Sequence, residues 1–473
     1  MQHPKLIGIN TTALSLASLL TACAADSIDL GGSTSLEQSL EVGARCVEST
    51  IVEGDVFVAQ RDELEALRGC EAIRGDFTVM VFEETDLSPL ASLREVSGAI
   101  HIGARARPIP DEIITNPQGT ELAEAFEVEA AEAARSAAII EAGWLESLRG
   151  LEGLEHAGQL ILSGIAAPDL GVFEGLRNLG NHPLPTEAGF LWIIEAKNLI
   201  DLRGLDGVGG IRRLRLDDNP SLESLDGVEL SAQMDSIELG ANPRLTDLTA
   251  LSPVDSLGGL AIANSGAIDL DGLANLSVCD AIAIIANPEL EDVSALARLE
   301  IASSMIFLSN PKLEVLPEFS VLGSPIEEFR VIDNAALRSV SLTFPFSRTT
   351  TWEVDTELPQ SGELREVEVG YAWFEFSDNP QLESLAFGGN LTSALVVEVN
   401  RNGGLSSVAL GPLRSLNVLS ISGNPALSSV ALGDIETVNL ISVVNNPGLS
   451  VAELRTVRSF ETVTSGNADD AAE

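Results

Sequence analysis

The sequence predicts a mainly β solenoid, a right-handed β-helix of about 15 coils of 22–24 residues with one parallel sheet along its length and two insertions. Three observations predict this fold. An asparagine, often followed by proline, returns at a nearly fixed interval. A leucine almost always stands three residues after it, and apolar residues stand five and three residues before it. A chain of 473 residues is also long for one compact core, which favours a repeat array.

The asparagines mark the point where each coil leaves the sheet. The apolar positions before them alternate with polar ones, as in a short strand with one buried face. The side-chain amide can bond to backbone groups that burial would otherwise leave unpaired, and a following proline ends the strand. The pattern resembles the leucine-rich-repeat signature LxxLxLxxN, which implies a single-sheet, leucine-rich-repeat-like solenoid. The predicted ladder asparagines are Asn219, Asn242, Asn287, Asn310, Asn334, Asn379, Asn402, Asn424 and Asn446.

Two irregularities interrupt this pattern. From Asn334 to Asn379 the interval is 45 residues, which indicates one coil that carries an insertion of about a coil's length. Near residue 264 the strand side of the pattern fits Ser265, whereas the turn side fits Asn264. Upstream, the period continues without the asparagine. The strands predicted there are DVFV (55–58), FTVMV (77–81), AIHI (99–102), QLIL (159–162) and FLWI (190–193).

The N-terminal residues have the features of an exported chain. Lys5 precedes a short apolar stretch that ends in LTAC at residues 20–23, as in a cleaved signal peptide. LTAC resembles the lipobox of bacterial lipoproteins, which implies removal of residues 1–22 and acylation of Cys23, enough to anchor a protein to a membrane. The alanines after Cys23 favour the outer membrane, by analogy with enteric bacteria. Residues 23–45 are expected to form a flexible stalk.

The remaining cysteines suggest one disulfide. Export permits disulfides, and Cys46 and Cys70 bracket the start of the repeats, so we expect a bridge that caps the first coil. Cys279 occupies a position that is aliphatic in other coils, which predicts a buried apolar role.

The first coils resemble a more specific family. CVESTIVEGDVFVAQRDELEALRGCEAIRGDFTV and TDLSPLASLREVSGAIHI are similar to the receptor L domain, the ligand-binding β-helix of insulin- and epidermal-growth-factor-type receptors. The likeness is carried by Cys46, Cys70, Gly54, Gly75 and Gly98. It extends over most of residues 46–463, and related repeats occur in bacterial surface lipoproteins. The chain has more coils than the receptors and no cysteine-rich module, so the resemblance implies a fold and no particular ligand.

Two insertions complete the predicted organisation. The first is rich in alanine and glutamate and is expected to be helical; the second is expected to be a polar loop. Long insertions are often functional, but solenoids also tolerate them cheaply. The predicted parts are a signal peptide (1–22), a stalk (23–45), an N-terminal cap with the first coils (46–102), a helical insertion (103–138), a repeat solenoid (139–463) with a loop insertion (343–372), and a disordered tail (464–473).

Charge and composition exclude several functions. Acidic residues number 71 against 27 basic ones, a net charge of −44, which repels nucleic acid and anionic lipid. We therefore expect no nucleic-acid partner, and membrane contact through the lipid anchor alone. Carboxylates at 216–219 and 269–272 could ligate calcium, but solvated turns explain them more simply, and neither a metal nor a cofactor is predicted. The chain has no GxSxG, HExxH, phosphate loop or zinc-type cysteine pair, so we predict that it is not an enzyme.

The outward strand positions suggest where a ligand would bind. These positions are polar in early and late coils but apolar in the middle of the array, and such a stripe on a concave sheet is typical of an interaction surface. The alternative is burial beneath an insertion, such as residues 343–372 folding back. The candidate ligand-binding residues are Ile285, Ile306, Leu308, Arg330 and Ile332.

These observations favour a lipid-anchored, non-enzymatic recognition or adhesion protein of the bacterial envelope, facing the surface or the periplasm. Its ligand would be a protein or a glycan bound on the concave parallel sheet. A second hypothesis is a structural envelope protein whose acidic surface collects cations. A third is a polysaccharide-active β-helix enzyme, although no cluster of calcium-binding carboxylates beside a basic residue is evident.

Overall fold

A computed structural model describes residues 46, 50–81, 85–103, 144–180, 189–319, 322–323, 326–344, 349–354, 365–370, 372–452, 454 and 458–468. The signal peptide, Cys23 and the stalk lie outside these residues, as do all but the first residue of the 103–138 insertion and the last five residues of the chain.

Strands dominate the described residues. Helical structure there consists of the short α-helix α1 (Arg61–Glu65) and 3-10 turns at Ser88–Leu90, Gly171–Phe173, Thr249–Leu251, Asp271–Leu273 and Ser294–Arg298. The strands are β1 (Ile51–Glu53), β2 (Val56–Val58), β3 (Ala72–Arg74), β4 (Phe77–Met80), β5 (Glu95–Gly103), β6 (His156–Ser163), β7 (Phe190–Ile194), β8 (Arg213–Asp217), β9 (Gln233–Gly240), β10 (Ser256–Ala263), β11 (Val278–Ile285), β12 (Ser304–Leu308), β13 (Glu328–Ile332), β14 (Ser339–Phe344), β15 (Thr349–Val354), β16 (Arg365–Gly370), β17 (Trp373–Ser377), β18 (Ser384–Gly389), β19 (Ser393–Asn400), β20 (Ser407–Ala409), β21 (Ser415–Ser422), β22 (Ser429–Ala431), β23 (Thr437–Val444) and β24 (Arg458–Ser465).

The strand pairing defines a parallel β-solenoid, as the sequence predicts. An 18-stranded sheet, called the main sheet below, receives a strand from every coil, and each strand pairs in parallel with those one coil before and after it; β10, for example, pairs with β9 and β11. All five predicted upstream strands are present, as β2, β4, β5, β6 and β7, although β2 and β4 are each one residue shorter than predicted. The chain is therefore a leucine-rich-repeat-like solenoid.

The structure adds two features to the predicted single sheet. In the C-terminal coils β14, β18, β20 and β22 form a second parallel sheet. The predicted polar loop 343–372 contains an antiparallel hairpin, β15–β16. Its second strand lies close to β19 and β21, with which it does not pair. The predicted disordered tail also needs correction, because β24 ends at Ser465 and Asn467 is buried.

The N-terminal end is closed by a small cap. Cys46 and Cys70 form a disulfide with their Cα atoms 5.3 Å apart. Between them, the backbone N–H of Gln60 donates to Glu63 at the start of α1 (3.0 Å), and Leu64 of the same helix is buried. The cap thus covers apolar side chains at this end of the described solenoid.

Leucines and other aliphatic residues fill the interior. The leucines three residues after the asparagines, such as Leu222 and Leu313, are fully buried, and so is Cys279. The few aromatic residues concentrate near the insertion. There Phe329 packs on Phe307 with ring centroids 6.1 Å apart. Such long-range stacking joins successive coils into one continuous core.

The predicted asparagines form a buried ladder. Asn310 shows the repeating contacts: its Oδ1 accepts the backbone N–H and the side-chain amide of Asn287 (both 3.1 Å), and its own amide donates to the carbonyl of Ile284 (2.9 Å). The backbone N–H of Asn310 donates in turn to Asn334 (3.1 Å). The ladder continues to Asn467, one step beyond the predicted set.

Each turn also depends on the residue before the asparagine, which the sequence pattern did not reveal. This residue has a left-handed backbone conformation, for example φ of 53° at Ala286 and 55° at Ser309. Non-glycine residues adopt this conformation only when the surrounding structure holds them there. The ladder supplies that restraint, so the sharp turn is set by both residues and not by proline alone.

Ser265 interrupts the ladder. It is buried at the asparagine position, and its backbone N–H donates to Asn287 (3.0 Å), as a ladder residue does. Its hydroxyl donates to the carbonyl of Leu245 in the preceding coil (3.2 Å) and accepts from the N–H of Ala267 (3.0 Å). It does not accept the backbone N–H and the side-chain amide of the preceding ladder residue, Asn242, as Asn242 does for Asn219.

An asparagine at position 265 would lose the two hydroxyl bonds but gain the three that other ladder side chains make, as Asn242 does. Replacing Ser265 with asparagine is therefore expected to raise the free energy of unfolding by about 1 kcal/mol, the typical net contribution of one hydrogen bond. Denaturant titration of the purified protein measures this change. Ser265→Ala is the matched control and should be destabilising, because it leaves the N–H of Ala267 without its acceptor. A Ser265→Asn variant no more stable than the parent protein would contradict the proposed break in the ladder.

Candidate ligand-binding surface

The outward face of the main sheet, on the side away from the core, presents three rows of side chains, because adjacent strands are in register. The first row is Gln159, Phe190, Arg213, Ser236, Gly259, Ala281, Ser304, Glu328, Trp373 and Val396. The central row is Ile161, Trp192, Arg215, Glu238, Ala261, Ala283, Ile306, Arg330, Glu375 and Glu398. The third row is Ser163, Ile194, Asp217, Gly240, Ala263, Ile285, Leu308, Ile332, Ser377 and Asn400.

The predicted ligand-binding residues lie together on this face but are not all accessible. Ile306 is fully buried and Arg330 is 5% exposed, whereas Ile285, Leu308 and Ile332 are half-buried. Ile306 forms a second hydrophobic cluster with Ala281 and Ala283, separate from the main core. Ile306 and Arg330 are therefore too buried to contact a ligand directly in this structure, whereas Ile285, Leu308 and Ile332 remain predicted contacts.

Arg330 instead belongs to a buried ion-pair network. Its guanidinium pairs with Glu375 on the next strand (2.8 Å), lies 3.8 Å from Glu328, and stacks over the ring of Trp373 at 5.1 Å. Glu328 accepts the Ser304 hydroxyl (3.0 Å). Burial raises the pKa of the Glu328 carboxyl above its usual value, against the opposing effects of this hydroxyl and of Arg330.

A more accessible group of side chains lies on β7, β8 and β9, and we call it the Trp192 cluster: Phe190, Trp192, Arg213, Arg215, Asp217 and Glu238. The rings of Phe190 and Trp192 stack at 5.9 Å. Arg213 lies over Phe190 and Arg215 over Trp192, each at 4.9 Å from the ring centroid. Two cation–π pairs thus stand side by side on adjacent strands.

Hydrogen bonds fix the orientation of this cluster. The indole N–H of Trp192 donates to Asp217 (3.0 Å), and Arg215 donates to the same carboxylate (2.5 Å) and lies 3.5 Å from Glu238. The side chain of Arg215 remains 29% exposed, compared with 6% for Arg330. The Trp192 cluster is therefore both ordered and open to a partner.

Burial and like charge also affect the carboxyls here. Burial raises the pKa of Glu238, and Asp217 adds to the rise, while Arg215 opposes it. Burial and Asp217 likewise raise the pKa of Asp218. The cluster thus places hydrogen-bond acceptors beside the donors of its arginines, which favours ligands that both donate and accept hydrogen bonds.

Small residues lie beside the Trp192 cluster on β10 and β11, where Gly259, Ala261, Ala263, Ala281 and Ala283 occupy outward positions. Between these residues and the Arg330 network lie the larger side chains of Ile285, Ile306 and Leu308. The low part of the outward face is therefore confined to β10 and the first part of β11.

The sequence pattern missed the Trp192 cluster for a specific reason. This coil has Ala196 where other coils have the ladder asparagine, so its outward positions could not be aligned from the sequence pattern. The structure identifies the position, because the N–H of Ala196 donates to Asn219 (2.9 Å). One signal was available: tryptophan is rare in this chain, with 4 in 473 residues, and this one lies in a predicted strand.

Within the described ranges, no three His, Cys, Asp or Glu side chains are grouped so that they could hold a metal ion. The helices of the same ranges include none with the length and apolar character needed to cross a membrane.

Comparisons with known proteins reveal only distant similarity. No family model and no curated protein matches the chain. Among solved structures, the functional domain of InlJ from Listeria monocytogenes is 13% identical with a TM-score of 0.31, covering 84% of this chain and 69% of that one. A leucine-rich repeat protein from Bacteroides eggerthii is 11% identical with a TM-score of 0.28, covering 68% and 70% respectively. The fold of this chain is defined by its own strand pairing.

Proposed function

We propose that this protein is a non-enzymatic recognition or adhesion protein of the bacterial cell envelope, which binds a protein or glycan through the Trp192 cluster. The observation that carries the proposal is the cluster itself: Trp192 and its arginine and carboxylate neighbours are half-buried, Phe190 is buried beside them, and all are held in one arrangement on three adjacent strands. Tryptophan and arginine are the residues that most often dominate binding energy at interfaces.

The support of these side chains suits recognition. Asp217 receives hydrogen bonds from both Trp192 and Arg215, so each group restricts the others before a ligand arrives. The strands beneath are paired on both sides within a continuous sheet. Such preorganisation reduces the entropy that association would otherwise cost.

The proposed location follows from the N-terminal sequence. Acylation of Cys23 would tether the chain to the outer membrane, and residues 23–45 would act as a flexible spacer. The net charge of −44 would keep the solenoid away from anionic headgroups, so that its outward sheet face remains free for a partner.

Replacing Trp192 with alanine is expected to weaken binding to envelope fractions at least tenfold, because it removes the ring on which Arg215 stacks and one donor to Asp217. The measurement is saturation binding of the purified protein to envelope fractions of the producing cells and of neighbouring species. Parallel fractions are digested with protease or oxidised with periodate, which distinguishes a protein ligand from a glycan.

Arg244→Ala provides the matched control. Arg244 also faces a carboxylate, 3.7 Å from Glu223, but it is exposed and lies outside the main sheet. The Arg244→Ala variant should bind envelope fractions as tightly as the parent protein does. Equal binding by a folded Trp192→Ala variant would exclude the Trp192 cluster, and no saturable binding by the parent protein would exclude recognition.

A further inference from the structure

Four polar atoms on the outward face of β13, β17 and β19 are buried without a hydrogen-bond partner among the residues that the structure describes. They are Glu328 Oε1, Trp373 Nε1, Ser377 Oγ and Asn400 Oδ1, called the polar row below. Glu328 is only 8% exposed and Ser377 only 1%. Because buried polar groups nearly always have partners, four such atoms on three adjacent strands need an explanation.

The four side chains form two pairs. Glu328 lies opposite Trp373 in the strand register, and Ser377 lies opposite Asn400. Neither pair forms a direct hydrogen bond between its two unpartnered atoms. Because neighbouring strands are about 4.8 Å apart, one oxygen atom placed between the two side chains of a pair can bond to both of them.

The chemistry of the pairs selects the bridging group. The indole N–H of Trp373 can only donate, the oxygens of Glu328 and Asn400 accept, and the Ser377 hydroxyl does both. A group that bridges the first pair must therefore accept from Trp373 and donate to Glu328. A water molecule and a ligand hydroxyl group both do this, and the experiment below distinguishes them.

The charges nearby exclude ionic ligands. A cation would meet the guanidinium of Arg330, which stacks on the Trp373 ring, and an indole N–H that cannot coordinate it. An anion would meet the carboxylates of Glu328 and Glu375. An uncharged molecule with several hydroxyl groups avoids both penalties.

We propose that the polar row is a second binding site, which takes the hydroxyl groups of a neutral glycan. Arg330 acts as a positioning residue: its contacts with Glu375 and Trp373 hold the indole ring beside Glu328. The site is five strands away from β8 at the centre of the Trp192 cluster and shares no residue with it. The proposal rests on the proposed function in one respect, since both place the ligand on the outward face of the main sheet.

All four atoms are closed to solvent in this structure. Binding therefore requires local opening of the surface above the polar row, and we expect association to be slow compared with that of an open site.

The test uses two substitutions in the full-length protein, each of which removes one of the unpartnered groups. Trp373→Phe removes the indole N–H but keeps a ring beneath Arg330, and Ser377→Ala removes a hydroxyl that has no partner. The probe is the neutral oligosaccharide fraction obtained by mild acid hydrolysis of envelopes of the producing cells. Its binding to the parent protein and to each variant is measured by titration calorimetry. The same fraction after periodate oxidation, which destroys vicinal hydroxyls, is the ligand control.

The expected result is saturable binding that each variant weakens about tenfold and that periodate abolishes, while both variants keep the parent melting temperature. Absence of oligosaccharide binding by the parent protein would overturn the proposal. Equal affinity of the parent protein and both variants would also overturn it, and the polar row would then be a site for ordered water only. Trp192→Ala separates the two proposals: if it abolishes envelope binding while oligosaccharide binding is unchanged, the polar row stands on its own. Loss of oligosaccharide binding in Trp192→Ala but in neither polar-row variant would assign the glycan to the Trp192 cluster.

Discussion

Replacing Asn310 with alanine is expected to lower the free energy of unfolding by about 4 kcal/mol, although the change removes only a small polar side chain. The substitution would leave three buried groups without their partners: the backbone N–H of Asn287, one N–H of the Asn287 amide, and the carbonyl of Ile284. Each buried group left unpaired costs about 1–3 kcal/mol. A buried apolar side chain cannot compensate for this loss.

Denaturant titration followed by circular dichroism measures the effect. Asn275→Ala is the matched control, because the Asn275 amide also donates to the preceding coil, at Ser252 (2.9 Å), but at an exposed position. Water can replace that bond, so the control should change stability by less than about 0.5 kcal/mol. Similar losses in the two variants would show that burial does not give the ladder its importance.

The ladder also illustrates what could be predicted from sequence. Nine of its residues were found because the asparagine, its leucine and two apolar positions recur together, and each coil supplies an independent observation of the same geometry. Asn467 was missed because Ala468 follows it and Asp470 stands three residues after it, where the pattern has proline and leucine. Its bond from Asn446 (3.1 Å) shows that the last turn follows the same rule.

The accessibility of the outward face could not be predicted in this way. The sequence shows that residue 306 is apolar, and the alternation of the strand predicts that its side chain faces outward. Neither shows which atoms cover that side chain. Ile306 is fully buried, whereas Leu308, two residues later in the same strand, is half-buried. The difference depends on contacts across the sheet face, which a repeat pattern does not encode.

Arg330 shows a related limit. The sequence places it beside an apolar stripe, where a charged residue suggests a ligand contact. Its partner Glu375 is 45 residues away, on the far side of the hairpin insertion. Only the register between β13 and β17 brings the two together, so the insertion concealed a structural ion pair.

Lowering the pH from 7 to 4 is expected to remove about 3 kcal/mol of stability through His101 alone. This histidine lies on β5, with its Nε2 3.1 Å from the Ser163 hydroxyl. Burial lowers its pKa from 6.5 to about 4. Because the folded protein binds the proton less readily than the unfolded chain, the stabilisation is complete above pH 6.5 and is lost as the pH falls toward 4.

The measurement compares the parent protein with His101→Gln at pH 7 and pH 5. Over this range the parent should lose about 2 kcal/mol more than the variant, and stopping at pH 5 avoids precipitation near the isoelectric point of about 4.2. Buried carboxyls with raised pKa values, such as Glu238 and Glu328, have the opposite pH dependence. They are common to both proteins and cancel in the comparison.

Ser163→Ala distinguishes the cause of the shift. If burial lowers the pKa of His101, this variant should keep the parent's dependence on pH, because it removes a hydroxyl and leaves the imidazole enclosed. If the stability of the parent protein and that of His101→Gln change with pH in parallel, His101 must be hydrated in solution. The outward face at β5 and β6 would then be open, and the region available to a ligand would extend from the Trp192 cluster to the first coils of the solenoid.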